Sequence, residues 1–344
     1  MKKGILLAAG ILLCLLGGCK KDSPTAYELG RENLEKGNYT EAIENFQDAV
    51  QEGEKGAQSW RGIGVCWSSQ GVFDKAQEAF ETALSLISKS DKAMSRDLCL
   101  YLADAQYHQG DYEGCIETCD RLLKESKEKD GYFLRGSAYL HLGQYKQADT
   151  NFGKVISGSK DYQDYLDIYR IYRECDLNAD GVEYLEDALE ISPKTGEDYY
   201  NRGRVYFYLA EYTKAEKELK KALDKEWKDA GPYLGKVYLA VGDKENAVEQ
   251  YQKCLDIEGQ EAAGYNGLAY CSIQEEDYDS ALSYIEKGLK EKDREETQVL
   301  LFNQIVLYER QGDFAAAKEK IAAYLEAYPG DEDAVRENYF LETR

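Results

Sequence analysis

From about residue 26 onward, apolar side chains recur three and four positions apart, in short blocks separated by turns that carry Gly or Asp. That spacing gathers the apolar residues on one stripe of a helix and does not fit the two-residue period of a strand. The blocks come in pairs, and the pairs repeat. Gly30, Gly37, Tyr39, Ala42, Phe46 and Ala49 reappear as Gly64, Gly71, Phe73, Ala76, Phe80 and Ala83, a displacement of 34. The frame returns as Gly136, Gly143, Tyr145, Ala148 and Phe152, then as Gly203, Ala210, Tyr212, Ala215 and Leu219. It returns again as Gly235, Gly242, Ala247 and Tyr251, and as Gly312, Phe314, Ala317, Ile321 and Pro329. Weaker copies run through Ala103, Gly110 and Cys119, through Ala269, Tyr278 and Ile285, and through Tyr169, Gly181 and Leu185.

Nine copies in register resemble the tetratricopeptide repeat, over residues 23–330. Small residues at repeat positions 8 and 20 would let two antiparallel helices approach. Larger ones at positions 4, 7, 11, 17, 24 and 27 would fill the space between them. Gly or Asp near position 15 would make the turn. No single pair can bury its apolar faces, so neighbours must stack. The expected fold is therefore all-α, a right-handed superhelical solenoid of about nine helix-turn-helix repeats, starting near residues 23, 57, 96, 129, 162, 196, 228, 262 and 298. Residues 331–344 read as a C-terminal capping helix, with Asp331, Glu332 and Asp333 at its start. About five extra residues near Lys89 to Ser95 predict an extended helix end or a loop, and a bend in the solenoid.

The first residues follow a different pattern. Lys2 and Lys3 precede an apolar run from Ile5 to Leu16, which is too short to span a bilayer at roughly 20 residues. A basic start, an apolar middle and small residues before a cut have the form of a secretory signal. The ending Leu16-Gly17-Gly18-Cys19 resembles the lipobox of bacterial lipoprotein precursors. That resemblance implies a signal peptide over 1–18, diacylglyceryl and palmitate chains on Cys19, and a short tether over 19–22. Two acyl chains anchor stably where one binds reversibly. The five residues Lys20 to Pro24 reach at most about 18 Å, so the solenoid is expected close to the bilayer. The implied location is outside the cell membrane, or on an envelope membrane of a two-membrane host.

Composition narrows the function. The 65 Asp and Glu against 43 Lys and Arg give a formal charge of −22, which excludes a phosphate-binding surface for nucleic acid. No Ser/His/Asp set, Gly-rich phosphate loop or Cys-x-x-Cys pair occurs, and neither an enzyme nor a cofactor is expected. The seven cysteines after Cys19 read as small buried side chains, with Cys115 and Cys119 badly directed for a disulfide. Free thiols outside a membrane would suit a host living with little oxygen. Asp176-Leu177-Asn178-Ala179-Asp180-Gly181, with Asp187 at the twelfth place, resembles the start of a calcium loop. The competing reading is a turn in which Asp180 caps a helix and Glu183 completes a capping box. His108 and His141 share repeat position 13, which places them as neighbours on the inner face.

In the family that the repeats resemble, positions 2, 5, 9, 12 and 13 line the concave groove. Here they include Tyr27, Arg31, Arg61, Tyr107, Phe133 and Tyr270, and a central set of Arg170, Arg173, Tyr200, Arg204, Phe207, Tyr208 and Lys236. The cations of that set predict a basic stripe through repeats five to seven. Arg and Tyr are the residue types that most often carry interface energy. The function expected is a membrane-anchored scaffold that binds a protein or peptide with an acidic segment in the groove, and binds no nucleic acid. The alternative is a glycan- or cell-wall-binding lipoprotein whose groove aromatics stack on sugar rings.

Overall fold

The computed structural model describes residues 23–291 and 293–344, so Cys19 and the lipobox-like segment lie outside the described residues. Nineteen helices and no strand occur among them. The first four pairs are α1 (Ala26–Glu35) with α2 (Tyr39–Gln51), α3 (Gly56–Ser69) with α4 (Phe73–Leu86), α5 (Lys92–Gln109) with α6 (Tyr112–Glu125), and α7 (Lys129–His141) with α8 (Tyr145–Ile156). Two further pairs are α9 (Tyr162–Glu174) with α10 (Asn178–Ala188) and α11 (Gly196–Tyr208) with α12 (Tyr212–Asp224). The last are α13 (Ala230–Ala240) with α14 (Lys244–Cys254), α15 (Glu261–Gln274) with α16 (Tyr278–Lys290), and α17 (Arg294–Gln311) with α18 (Phe314–Ala327). A final helix, α19 (Glu332–Glu342), caps α18. The chain is an all-α right-handed solenoid of repeated helix pairs.

The turn inside every pair is built in the same way. Repeat position 15 has a positive φ in all nine repeats, from Gly37 at 77° to Gly312 at 77°. Glycine takes that conformation without the Cβ clash that other residues suffer. Three repeats place another residue there: Asp176 at 59°, Ala210 at 56° and Glu276 at 59°. The next residue is the N-cap of the second helix. Where it is aspartate, its carboxylate accepts a backbone N–H three residues on, as in Asp111 to Gly114 at 3.0 Å and Asp313 to Ala316 at 3.0 Å.

Between the two helices, in six of the nine repeats, a small residue at position 8 faces a large one at position 24. A Cβ added to Gly136 would lie 2.8 Å from Phe152 Cε1, and one added to Gly235 would lie 2.6 Å from Tyr251 Cε1. Phe46, Phe80, Phe152, Leu219 and Tyr251 are all buried at this position. The missing glycine side chain is what makes room for the ring of the partner helix. The winding also returns on itself. The turn before α19 comes back to the start of α4, with a Cβ on Gly330 lying 3.9 Å from Phe73 Cε2.

One local expectation holds and one is corrected. The residues near Lys89 to Ser95 form a loop up to the N-cap Asp91, which accepts from Met94 N at 3.1 Å, and then lengthen α5 by starting it at Lys92. No capping box forms at Asp180 and Glu183. The helix α10 starts at Asn178, with Leu177 as an N-cap that makes no side-chain hydrogen bond. Asp176 is the left-handed turn residue of its repeat, and Asn178 to Gly181 are already helical, so these side chains do not wrap around one point. No group of three His, Cys, Asp or Glu among the described residues is placed to hold a metal ion.

The seven described cysteines are unpaired; all but the half-buried Cys175 are buried. Burial pushes the Cys66 thiol up to about 12 and Cys254 and Cys271 to about 11. They pack as small apolar side chains. No helix among the described residues is long and apolar enough to cross a membrane.

Candidate functional site: the concave groove

The first helices of successive pairs stand side by side and enclose a groove of about 1310 Å³, lined from Asp97 on α5 to Glu296 on α17. All seven residues of the predicted central set line it: Arg170, Arg173, Tyr200, Arg204, Phe207, Tyr208 and Lys236. Their side chains differ in how they are held. Arg170 is neutralised along its own helix, by Glu174 at 2.7 Å and Asp167 at 3.8 Å. Arg204 is held by neutral acceptors instead: its Nη1 donates to Gln163 Oε1 at 3.0 Å and to Asn201 Oδ1 at 2.9 Å. Gln163 in turn donates to Asp167 Oδ1 at 2.9 Å, so one amide separates that acid from Arg204. Two rigid amide oxygens fix the guanidinium in place without cancelling its charge.

The remaining cations lie over rings. Arg173 sits 5.2 Å from the Tyr208 centroid, Arg204 5.4 Å from Tyr200 and Lys236 5.4 Å from Tyr233. The rings contact one another edge to face, Phe207 with Tyr233 at 5.4 Å and Tyr200 with Tyr233 at 5.8 Å. Burial and the adjacent Tyr208 push the Tyr233 hydroxyl well above its ordinary value. Tyr233 and Trp227 were not singled out from the sequence, because neither falls on a groove position of the repeat.

The expected basic stripe is only half of the charge pattern. Repeat position 2, at the start of each first helix, supplies Asp97, Asp130, Gln163, Glu197 and Asp229, and all five line the groove. Asp97 is paired with Arg61, which lies under the Tyr101 hydroxyl. Burial raises the carboxyls of Asp130 and Asp167. The groove therefore carries an acidic row along one edge as well as cations at its centre. Position 2 was legible as groove-lining, but the choice of cations and aromatics passed over its acids.

Both histidines contact the Tyr107 ring, with centroids 5.2 Å from His108 and 5.4 Å from His141. They flank Tyr107, whose hydroxyl lies 2.9 Å from His141 Nε2. His141 stacks on Tyr112 at 4.5 Å, while His108 stacks on Phe73 at 5.0 Å and lies 3.4 Å from Asp104.

Two family models, each described as the tetratricopeptide repeat, match this chain. One matches residues 27–92 and 68–130, and the other 130–161, 199–224 and 234–261. Among curated proteins, Hsp70-Hsp90 organizing protein 1 of Glycine max is 26% identical over 167 residues, 45% of this chain and 28% of that protein. Superkiller complex protein 3 of Homo sapiens is 23% identical over 211 residues, 57% of this chain and 13% of that protein. The matches thus span less than a third of the length of those relatives. Among solved structures, a tetratricopeptide repeat protein from Parabacteroides merdae is 20% identical with a TM-score of 0.45, over 69% of this chain and 94% of that one. The crystal structure of MamA is 21% identical with a TM-score of 0.40, over 47% of this chain and 93% of that one. With more than half of its residues matched by these models, the chain belongs to the tetratricopeptide repeat family.

Proposed function

We propose that this protein is an exported lipoprotein, anchored through Cys19, that holds a polypeptide segment of a partner in its concave groove. The observation that carries the reading is Arg204, whose charge is fixed by two amide oxygens and left without a paired carboxylate in the middle of an aromatic-lined groove. Such a preorganised guanidinium beside Tyr and Phe is the arrangement from which interface hot spots are made. The curated relatives include proteins whose names describe organising Hsp70 and Hsp90, and a polypeptide partner accords with that. The acidic remainder of the surface keeps the solenoid soluble and away from anionic lipid.

Photo-crosslinking in the native membrane tests this, with the probe at Phe207 in the groove and a control at Lys220 on α12. A discrete protein adduct from the groove position alone is expected. An adduct pattern that is the same at both positions, or none at either, overturns it.

Glycan or cell-wall binding is the alternative, on the strength of the groove tyrosines. Its difficulty is that Arg204, Arg173 and Lys236 already cover one face each of Tyr200, Tyr208 and Tyr233. Isothermal titration with soluble cell-wall glycans separates the two readings, since a peptide scaffold gives no heat.

A further inference from the structure

The charges of the groove are arranged in couples. Glu197 and Arg204 lie seven residues apart on α11, and Asp229 and Lys236 lie seven apart at the start of and along α13. Seven residues are two helical turns, so each acid and its cation face the same side, about 10 Å apart along the helix. Since the first helices of neighbouring repeats stand side by side, the couples align into two parallel rows. One row is acidic and follows repeat position 2; the other is basic and follows position 9 through repeats five to seven, where it holds Arg170, Arg204 and Lys236. The acids sit at the helix N-termini, the end where the macrodipole favours negative charge, while Arg204 and Lys236 lie further along, before the last turn.

The members of these couples are not consumed by one another or by neighbours. No ion pair joins Glu197 or Asp229 to a cation among the described residues; Asp229 accepts only from the neutral amide of Gln260, at 2.9 Å. Arg204 rests on amides and Lys236 on the Tyr233 ring. Arg170, where position 2 of the same helix is the neutral Gln163, is the cation that is neutralised within its own helix. A uniformly acidic segment would meet the basic row but be repelled by Asp130, Glu197 and Asp229, and a uniformly basic one would fail in the opposite way.

We propose that the groove takes an extended, mixed-charge polypeptide segment, with Asp or Glu side chains toward Arg204 and Lys236 and Lys or Arg side chains toward Glu197 and Asp229. This rests on the scaffold reading above and specifies its ligand. An extended chain sends successive side chains to opposite sides, and three of its residues span about 10 Å, the separation of packed neighbouring helices. An alternating segment can therefore address both rows over several repeats.

Three pools of fluorescent peptides test the proposal against the full chain. Each peptide has roughly twelve residues, enough to cross three or four repeats, and both ends are capped so that no terminal charge takes part. Every third position is charged, so that successive charges point to opposite sides; these positions are all Glu, all Lys, or alternately Glu and Lys, with the intervening apolar positions randomised. The mixed pool is expected to bind at least about tenfold more tightly than either single-sign pool. Glu197→Gln should weaken the mixed pool while strengthening the all-Glu pool, and Arg204→Gln should do the converse with the all-Lys pool. Equal or tighter binding of a single-sign pool overturns the proposal, as does indifference of all pools to both substitutions. If no pool binds, the charge assignment also falls. An adduct at Phe207 would then show that the scaffold reading survives it, and absence of the adduct would show that both fall together.

Discussion

A Cβ placed on Gly64 would lie 2.4 Å from Cε1 of Phe80, a residue wholly excluded from solvent on the facing helix of the same pair. The contact is between α3 and α4, and no flexible chain end separates them, because the ring itself meets the backbone. Gly64→Ala must therefore push the ring out of place or spread the helices. It should cost about 1–3 kcal/mol, as overpacking of a filled core does. Phe80→Leu in the same chain should restore part of the loss, and urea denaturation of both variants measures it. A Gly64→Ala variant as stable as the parent would mean that the pair is loosely packed.

Ala210 gives the opposite prediction. It occupies the left-handed turn position that six of the nine repeats fill with glycine, at φ 56°. An alanine there pays about 1–2 kcal/mol of steric cost, while glycine pays more unfolded-chain entropy, about 0.5–1 kcal/mol. Ala210→Gly should leave a net gain of about 0.5–1 kcal/mol. Thermal unfolding checks it, and a fall in Tm would show that the Ala210 methyl is packed rather than strained.

Such features could be read before any coordinates because they depend on residues a fixed distance apart in the chain. Where the small-large couple occurs it is sixteen residues apart, as in Gly64 and Phe80, and the turn is always at position 15. The charge state of the groove was less legible. Arg170 and Arg204 look alike in sequence, both at position 9. They diverge because Arg170 has acids three residues before and four residues after it, whereas Arg204 takes an amide from Gln163, which reaches it from the preceding repeat. Asp176 to Gly181 resembled a calcium loop only because acids are acceptable in a turn and in the first turn of a helix. The left-handed Asp176 and the early start of α10 explain the same residues without a ligand.

The difference between the two arginines is measurable. With its charge already met by Asp167 and Glu174, Arg170→Gln should leave the yield of the Phe207 crosslink within about twofold of the parent. Arg204→Gln should lower it roughly tenfold, the loss expected for removing a buried anchor of about 1.4 kcal/mol. Circular dichroism confirms that both variants remain helical. Equal losses would mean that the ligand competes successfully for the Arg170 ion pairs.

Lipidation has its own test, independent of any partner. Acylation needs the Cys19 sulfur, so cells fed a clickable palmitate analogue should label the parent and not Cys19→Ala. Labelling that persists in Cys19→Ala would place the acyl chains on another residue or remove the anchor reading altogether.

The last repeat carries a pH dependence whose sign follows from Glu309. This α17 residue is half-buried, and one carboxylate oxygen, sealed from solvent, has no hydrogen-bond partner. Burial first, and then the facing charge and hydrogen bond of Glu337 on α19, raise its carboxyl to about 7, with Arg310 acting weakly in the other direction. In the unfolded chain the same group titrates near 4.5. A raised folded-state value means that the folded protein binds the proton more tightly. The stabilisation that this provides is complete below about 4.5 and is lost as pH rises through about 7. The effect belongs to the docking of the capping helix on α17, because Glu337 is on one side of that contact and Glu309 on the other. Glu309→Gln keeps the shape and removes the charge, so it should flatten this dependence and stabilise the cap above pH 7. Hydrogen exchange of α19 amides at pH 6 and pH 8 reads it directly. Protection in the parent should fall at the higher pH and stay level in Glu309→Gln, once the intrinsic exchange rate is divided out. A parent that loses no protection would mean that the two carboxylates separate without loosening the cap.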